Sequence, residues 1–441
     1  MLQFFHLVDW IDWFLGWPLV IYAFIMSFLC SFAFSFVQMR AFFTAWRVIF
    51  IPEESDAATQ MTPLKAFINT LSTNLGNGSI VGAATAVYTG GPGAGIWVLV
   101  FGLLLMAVRF AEVFASTLWG ANAPKGTVLG GPMLYLKSVR GGAILSWIYA
   151  LGCFAFGLVV GNAMQTHSIS WSFQTTWGIH SYIIASVLFL FICYVMLGGA
   201  QRIIAVSDKI VPIKVIVFII ATATLLGCHY ASVPHALKLM FKEAFNFSAV
   251  GGGLIGFSVM QAMAAGLNLS ITATESGLGT AAILFGFTGS KDPIKNGYMG
   301  MISTFVSSFV CFIVSLCIVV SGMWGVGLQS AALTIAAFQT VFGSWGGWIV
   351  SFLSISFGVG VLVSFAYITR AAWLAITNGR YETIFMVAYC ISAFLGAVVN
   401  VNLVWKTIQI VNGLLLTINL LGIFMLLPKL RQEFIKYQAG Q

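Results

Sequence analysis

Apolar runs about as long as a membrane-crossing helix follow one another along the chain, separated by short breaks of Gly, Pro and charged residues. A hydrocarbon core of ~30 Å needs about 20 helical residues. Runs of that order occur at 14–37, 66–89, 93–119, 143–166, 181–199, 210–230, 251–287, 298–322, 346–368, 383–400 and 405–427. The pattern predicts an all-α polytopic membrane protein with about 11 transmembrane helices. A lipid-embedded barrel would instead show short alternating segments. With no long hydrophilic insert, residues 1–441 read as a single transmembrane domain, in which 41–51, apolar with Arg47, could lie along the inner surface.

Composition agrees: 60% of the 441 residues are hydrophobic and 7% are charged, against roughly 25% charged in soluble domains. A soluble enzyme, a nucleic-acid binder and a disordered scaffold are excluded together. The seven cysteines are scattered singly through apolar runs, so neither a disulfide framework nor a zinc site is indicated. Met1 to Trp13 holds Asp9 and Asp12 but no Lys or Arg, the wrong charge for a signal peptide.

The net charge of +8 matters through its placement. With the N-terminus outside, 15 of the 20 Lys and Arg fall in inner segments, including Arg40, Lys65, Lys125, Arg202, Lys209 and Lys295. Lys238, Lys242 and Lys406 fall outside, and Arg109 and Lys214 within spans. That bias predicts an outer N-terminus and a cytoplasmic C-terminus. Trp10, Trp13, Trp17, Trp171, Trp177, Trp345, Trp348 and Trp405 fit an outer aromatic belt.

Two segments break the rule that helices in lipid keep their backbone paired. Ser72 to Gly82 (STNLGNGSIVG) lies in the second span. The seventh holds Gly251-Gly252-Gly253, Ala265 to Ser270, and Thr272 to Thr280 (TATESGLGT). Both are dense in Gly, Ser, Thr and Asn. Unwound helices leave half-helix ends whose N–H groups can bind a carboxylate and whose carbonyls can bind an ammonium or a small cation. Each opens a block of five spans, 66–230 and 251–427, and an odd number gives the blocks opposite topology. A broken first helix in each of two inverted halves points to a secondary transporter with a mid-membrane site. The plainer alternative is a seam of small residues for close helix packing.

The chain also resembles a known family, the alanine or glycine:cation symporters. Gly76-Asn77-Gly78-Ser79-Ile80-Val81-Gly82 is similar to the family's G-T-G-N-I-x-G stretch, Gly130 to Tyr135 to its G-G-P-x-x-Y, and Thr274 to Thr280 to its N-E-A-G-M-G-S. Gly90 to Ala94, Phe110-Ala111-Glu112, Lys291-Asp292-Pro293 and Gly343 to Gly346 follow in order. The resemblance implies a LeuT-like 5+5 inverted repeat after one extra N-terminal helix. It also implies Na⁺-coupled uptake of alanine or glycine, in a bacterial inner membrane. Ser79 stands where the family has Asn, Asn77 where it has Thr, and Thr274 where it has Asn. The ninth-span hydroxyl pair is replaced within Phe357-Gly358-Val359-Gly360-Val361, and a later acidic residue by Arg370.

The sequence therefore offers Asn77, Gly78, Ser79, Thr274, Glu275 and Gly277 to the amino and carboxylate groups of a small neutral amino acid. Gln165 joins them or makes an interhelical amide bond. A co-transported Na⁺ is expected on the backbone carbonyls of Ser72, Leu75 and Phe357, with H⁺ as the alternative. Arg109 and Glu112, three apart, form a structural ion pair or a gate. Glu275, the one acid of its span, could orient the unwound backbone instead. Lys214 reads as a lysine snorkelling to an inner helix end, and Trp171 as a belt residue or an outer cap. No metal cofactor is called for, and no cluster of catalytic groups suggests an enzyme. One Na⁺ at −100 mV supplies about 2.3 kcal/mol and a tenfold gradient about 1.4, enough for roughly 500-fold accumulation. An uncoupled or proton-coupled facilitator is the rival reading.

Overall fold

The computed structural model describes residues 2–51, 61–121, 130–245, 254–399 and 401–439, with only backbone for 2–17, 200–201, 203–205, 207–210, 254–258 and 401–406. Gly251-Gly252-Gly253, Lys125, and the side chains of Trp10, Trp13, Trp17, Trp405, Lys209 and Lys406 lie outside what is described. The described residues are helical throughout, without strands. Among the described residues, six helices are long and apolar enough to cross a membrane, and four shorter ones are apolar.

A long first helix, α1 (Leu2–Ala33), leads to the short α2 (Phe42–Ile49), which buries Ala45 and Ile49 and exposes Phe43. The run 66–89 is divided. Helix α3 (Pro63–Asn74) ends beneath Gly76 and Asn77, a π-turn covers Gly78–Gly82, and α4 (Ala83–Gly90) completes the crossing. Next come α5 (Ala94–Ala121), α6 (Gly142–Leu158), a second π-turn (Val159–Ala163) and α7 (Met164–Trp177). The run expected at 143–166 thus continues to Trp177. Helices α8 (Ser181–Leu197), α9 (Gly199–Cys228) and the peripheral α10 (Val233–Phe245) follow.

The seventh run divides into α11 (Leu254–Thr274) and α12 (Thr280–Gly286). Here the expectation is corrected. Ala265 to Ser270 remains helical, and the break is confined to 275–279. Gly266 serves contact, because a Cβ there would lie 2.5 Å from Trp97 Cβ and 2.9 Å from the Ala94 carbonyl. The last elements are α13 (Pro293–Val320), α14 (Ser330–Phe342), α15 (Trp345–Thr377), α16 (Glu382–Val398) and α17 (Val401–Ala439).

Two helix starts share one sequence device. Thr62 accepts the Lys65 N–H at 3.3 Å before Pro63, and Asp292 accepts the Lys295 N–H at 3.0 Å before Pro293. A side-chain oxygen caps an orphan donor, and proline at the first helical position gives up none that was needed.

Among the described residues, the most extensive helix contact is α5 against α13, a seam of small residues. A Cβ on Gly102 would stand 2.1 Å from Ser308 Oγ, and one on Gly300 would stand 2.6 Å from Val113. Gly102→Val is expected to separate these helices and destabilise the protein by about 1–3 kcal/mol. Its thermal midpoint in detergent, unchanged from that of the parent, would contradict this. Elsewhere α11 packs on α4, α6 and α7 on α15, and α8 on α16, while α9 packs on both α3 and α15.

Candidate substrate site

Both breaks meet at one hydroxyl. Ser307 Oγ, on α13, lies 2.8 Å from the Ala273 carbonyl at the end of α11 and 3.3 Å from the Asn74 carbonyl at the end of α3. Helix ends leave carbonyls without intrahelical donors, so buried side chains supply them. Ser79 Oγ donates to Asn74 O at 3.3 Å, and Gln165 Oε1 accepts the Asn77 N–H at 3.0 Å.

The second break is shaped by three left-handed residues: Glu275 (φ 55°), Gly277 (φ 90°) and Gly279 (φ 79°). Gly277 and Gly279 adopt this region without penalty. Glu275 is held there by its neighbours: its carbonyl accepts Leu278 N–H at 3.2 Å, and its carboxylate accepts Thr280 Oγ1–H at 2.6 Å. Thr274 Oγ1 accepts the Ser276 N–H at 3.2 Å.

Behind this turn sits a buried charged network. Arg109 donates to the Thr274 carbonyl, reaches Thr304 Oγ1 at 3.4 Å, and pairs with Glu112 at 3.5 Å. Glu112 accepts from Asn419 Nδ2 at 2.6 Å, and the same amide donates to Gly277 O at 2.8 Å. Tyr135 and Tyr149 hydroxyls donate to Asn419 Oδ1 and Leu278 O, the latter at 2.7 Å. Arg109 and Glu112 pair with each other, as their spacing predicts. The pair fixes the C-terminal end of α11, with both side chains fully buried.

A cavity lies between the breaks, lined by Thr73, Asn74, Gly76, Gly78, Val160, Met164, Gln165, Thr272, Ala273, Glu275, Val361 and Phe365. It is small. Gly78, Gln165 and Glu275 of the expected residues line it. Asn77, Ser79, Thr274 and Gly277 do not line it, and Asn77 is engaged with Ser354, accepting its hydroxyl at 2.8 Å and donating to its carbonyl at 3.1 Å. Gly358 permits this contact, since a Cβ there would lie 2.6 Å from Asn77 Nδ2.

Two residues escaped the sequence reading, and a third was misassigned by it. Asn74 Nδ2 is buried and has no acceptor among the described residues, and Asn74 lines the cavity. Its signal was a polar amide at membrane depth, obscured by the glycines that follow it. Asn419 carries no motif, and only the tertiary structure brings it to residue 277. Lys214 overturns its expectation. It is fully buried and does not snorkel, and its ammonium donates to the Ser72 and Leu75 carbonyls at 3.1 and 2.8 Å. Of the belt tryptophans with described side chains, Trp171, Trp345 and Trp348 are exposed.

Two interrupted helices facing each other across a small polar-lined cavity are an arrangement that suits a membrane carrier. Comparison with known proteins agrees. The Sodium:alanine symporter family model matches residues 1–441. An uncharacterized transporter of Haemophilus influenzae is 30% identical over 91% of this chain and 89% of its own length. The sodium/alanine symporter AgcS of Methanococcus maripaludis is 28% identical over 89% of this chain and 87% of its own. The probable sodium/glutamine symporter GlnT of Bacillus subtilis is 26% identical over 93% and 86%. A Na⁺-coupled sialic acid symporter in a substrate-bound outward-open state shares the fold, with TM-score 0.51 and 11% identity over 93% of this chain and 87% of that one. The chain belongs to the sodium:alanine symporter family, and is an integral membrane symporter of the amino-acid class and not an enzyme.

Proposed function

We propose that the protein imports a small neutral amino acid, alanine or glycine, together with a cation, by alternating access. The observation that carries this reading is the convergence of both helix breaks on Ser307 beside a small, polar-lined cavity. The side-chain amide of Asn74, which lines the cavity, suits the α-carboxylate. The Glu275 carboxylate and the carbonyl ends of α3 and α11 suit the α-ammonium, because the C-terminal end of a helix carries partial negative charge. Bulk is restrained by Met164, Val361 and Phe365. AgcS carries alanine in its name, which favours this substrate over the glutamine in the name of GlnT.

The inverted repeat of 66–230 and 251–427, preceded by the extra helix 14–37, belongs to the same proposal. Its support is that α4, α5, α7 and α8 pack on α11, α13, α15 and α16, each the element five apolar runs further on. Lys214 and Asn419 repeat the correspondence, each bonding the carbonyls of the broken helix that opens its own half. The positive-inside bias supports an outer N-terminus and a cytoplasmic C-terminus, and the family resemblance supports a bacterial inner membrane.

Purified protein in liposomes is expected to concentrate labelled alanine or glycine inside when a cation gradient and an inside-negative potential are imposed. Uptake that only equilibrates identifies the uncoupled facilitator. No entry of either amino acid overturns the substrate assignment.

A further inference from the structure

The residues assigned to a transported sodium ion do not fit one. Ser72 and Leu75 present their carbonyls at the end of α3, where the helix dipole favours a cation. One already stands there. Lys214 Nζ, reaching in from α9, lies 3.1 Å from Ser72 O and 2.8 Å from Leu75 O, with the Phe357 ring centroid 5.4 Å away. An ammonium has three donors and no acceptor. Two donors meet carbonyls, and the charge lies within cation–π range of the aromatic face.

Among the described residues, no carboxylate pairs with Lys214. It is fully buried. A buried charge without a paired carboxylate is costly, so its partners are the helix-end carbonyls themselves. These are the same oxygens a sodium ion would require. The opposite wall offers little in exchange. Gly358, Gly360 and Val361 carry no side-chain oxygen, and the Gly360 carbonyl accepts the Ser72 hydroxyl at 3.0 Å.

We propose that the Lys214 ammonium is the resident cation of this site, so that amino-acid uptake by this chain proceeds without Na⁺. The inference rests on the amino-acid uptake reading above, and it sets this chain apart from the ion in its family's description. The amine takes over the electrostatic role of a bound ion, tying α9 to the break between α3 and α4.

The test measures initial uptake of labelled alanine and glycine into proteoliposomes at fixed pH, with Na⁺ present or wholly replaced by choline. The two rates of the unmodified protein are expected to agree within about threefold, and a larger loss in choline overturns the inference. Lys214→Ala leaves the carbonyls vacant. Its rate in choline is expected to fall at least about tenfold, as expected when a buried charge is removed from its partners, and to recover at least partly with Na⁺. Retention of the full Na⁺-independent rate by this variant shows the ammonium to be dispensable, and also overturns the inference. If neither amino acid enters in either medium, the substrate assignment fails. The cation question is then decided by equilibrium binding of radioactive Na⁺ to the purified full-length protein. No saturable binding is expected, and saturable binding overturns the inference.

Discussion

Alanine uptake by the Gly78→Leu protein is expected to fall at least about 100-fold, with the protein still inserted and monodisperse in detergent. A Cβ at residue 78 would meet only Met164 Cε at 3.6 Å and the Ala273 Cα at 4.0 Å, both ordinary contacts. The backbone therefore tolerates a side chain at its root. The rest of the leucine has to lie in the cavity, because Gly78 is part of its lining. A hundredfold loss corresponds to about 2.7 kcal/mol of lost substrate binding, well within what steric exclusion from a closed pocket supplies. Gly78→Ala, adding only the Cβ, should retain most activity. Uptake by Gly78→Leu within threefold of the parent rate would remove this cavity from the transport path.

Arg109→Met is expected to have the largest effect on stability. Removing one member of a fully buried ion pair leaves the other without compensation and costs ~3–5 kcal/mol. Here the loss also strips the Thr274 carbonyl of its donor and leaves Glu112 with Asn419 as its side-chain partner. Thermal unfolding in detergent should show a midpoint several degrees lower. The double substitution Arg109→Met with Glu112→Leu should be less destabilised than the single one, because replacing both charges removes the unpaired carboxylate. A double variant as unstable as the single one would show that the network acts through Thr274 alone.

Glycine has two different roles at membrane depth in this chain, and sequence alone did not separate them. The breaks at 75–77 and 275–279 coincide with Gly, Asn, Ser and Thr in a run, where unwound backbone finds side-chain partners. At Gly266, Gly102 and Gly300 the helix continues, and the missing Cβ admits a neighbouring helix. The difference lies in what stands opposite, which local composition does not encode. The Arg109–Glu112 pair was legible from its i,i+3 spacing. Its attachment to Thr274, 165 positions away, was not.

Chain composition and periodicity by themselves determined an all-helical protein for lipid, two interrupted helices, and the polar residues that interrupt them. Hydropathy and backbone satisfaction act along the chain, within one helix length, so a linear reading captures them. The tertiary structure alone decided which freed carbonyls meet which donors: Ser307 joining both breaks, Asn419 closing the second, and Lys214 filling the place expected for sodium. Those contacts depend on how each helix is rotated and packed against its neighbours, and a buried lysine and a snorkelling one look the same until that rotation is known.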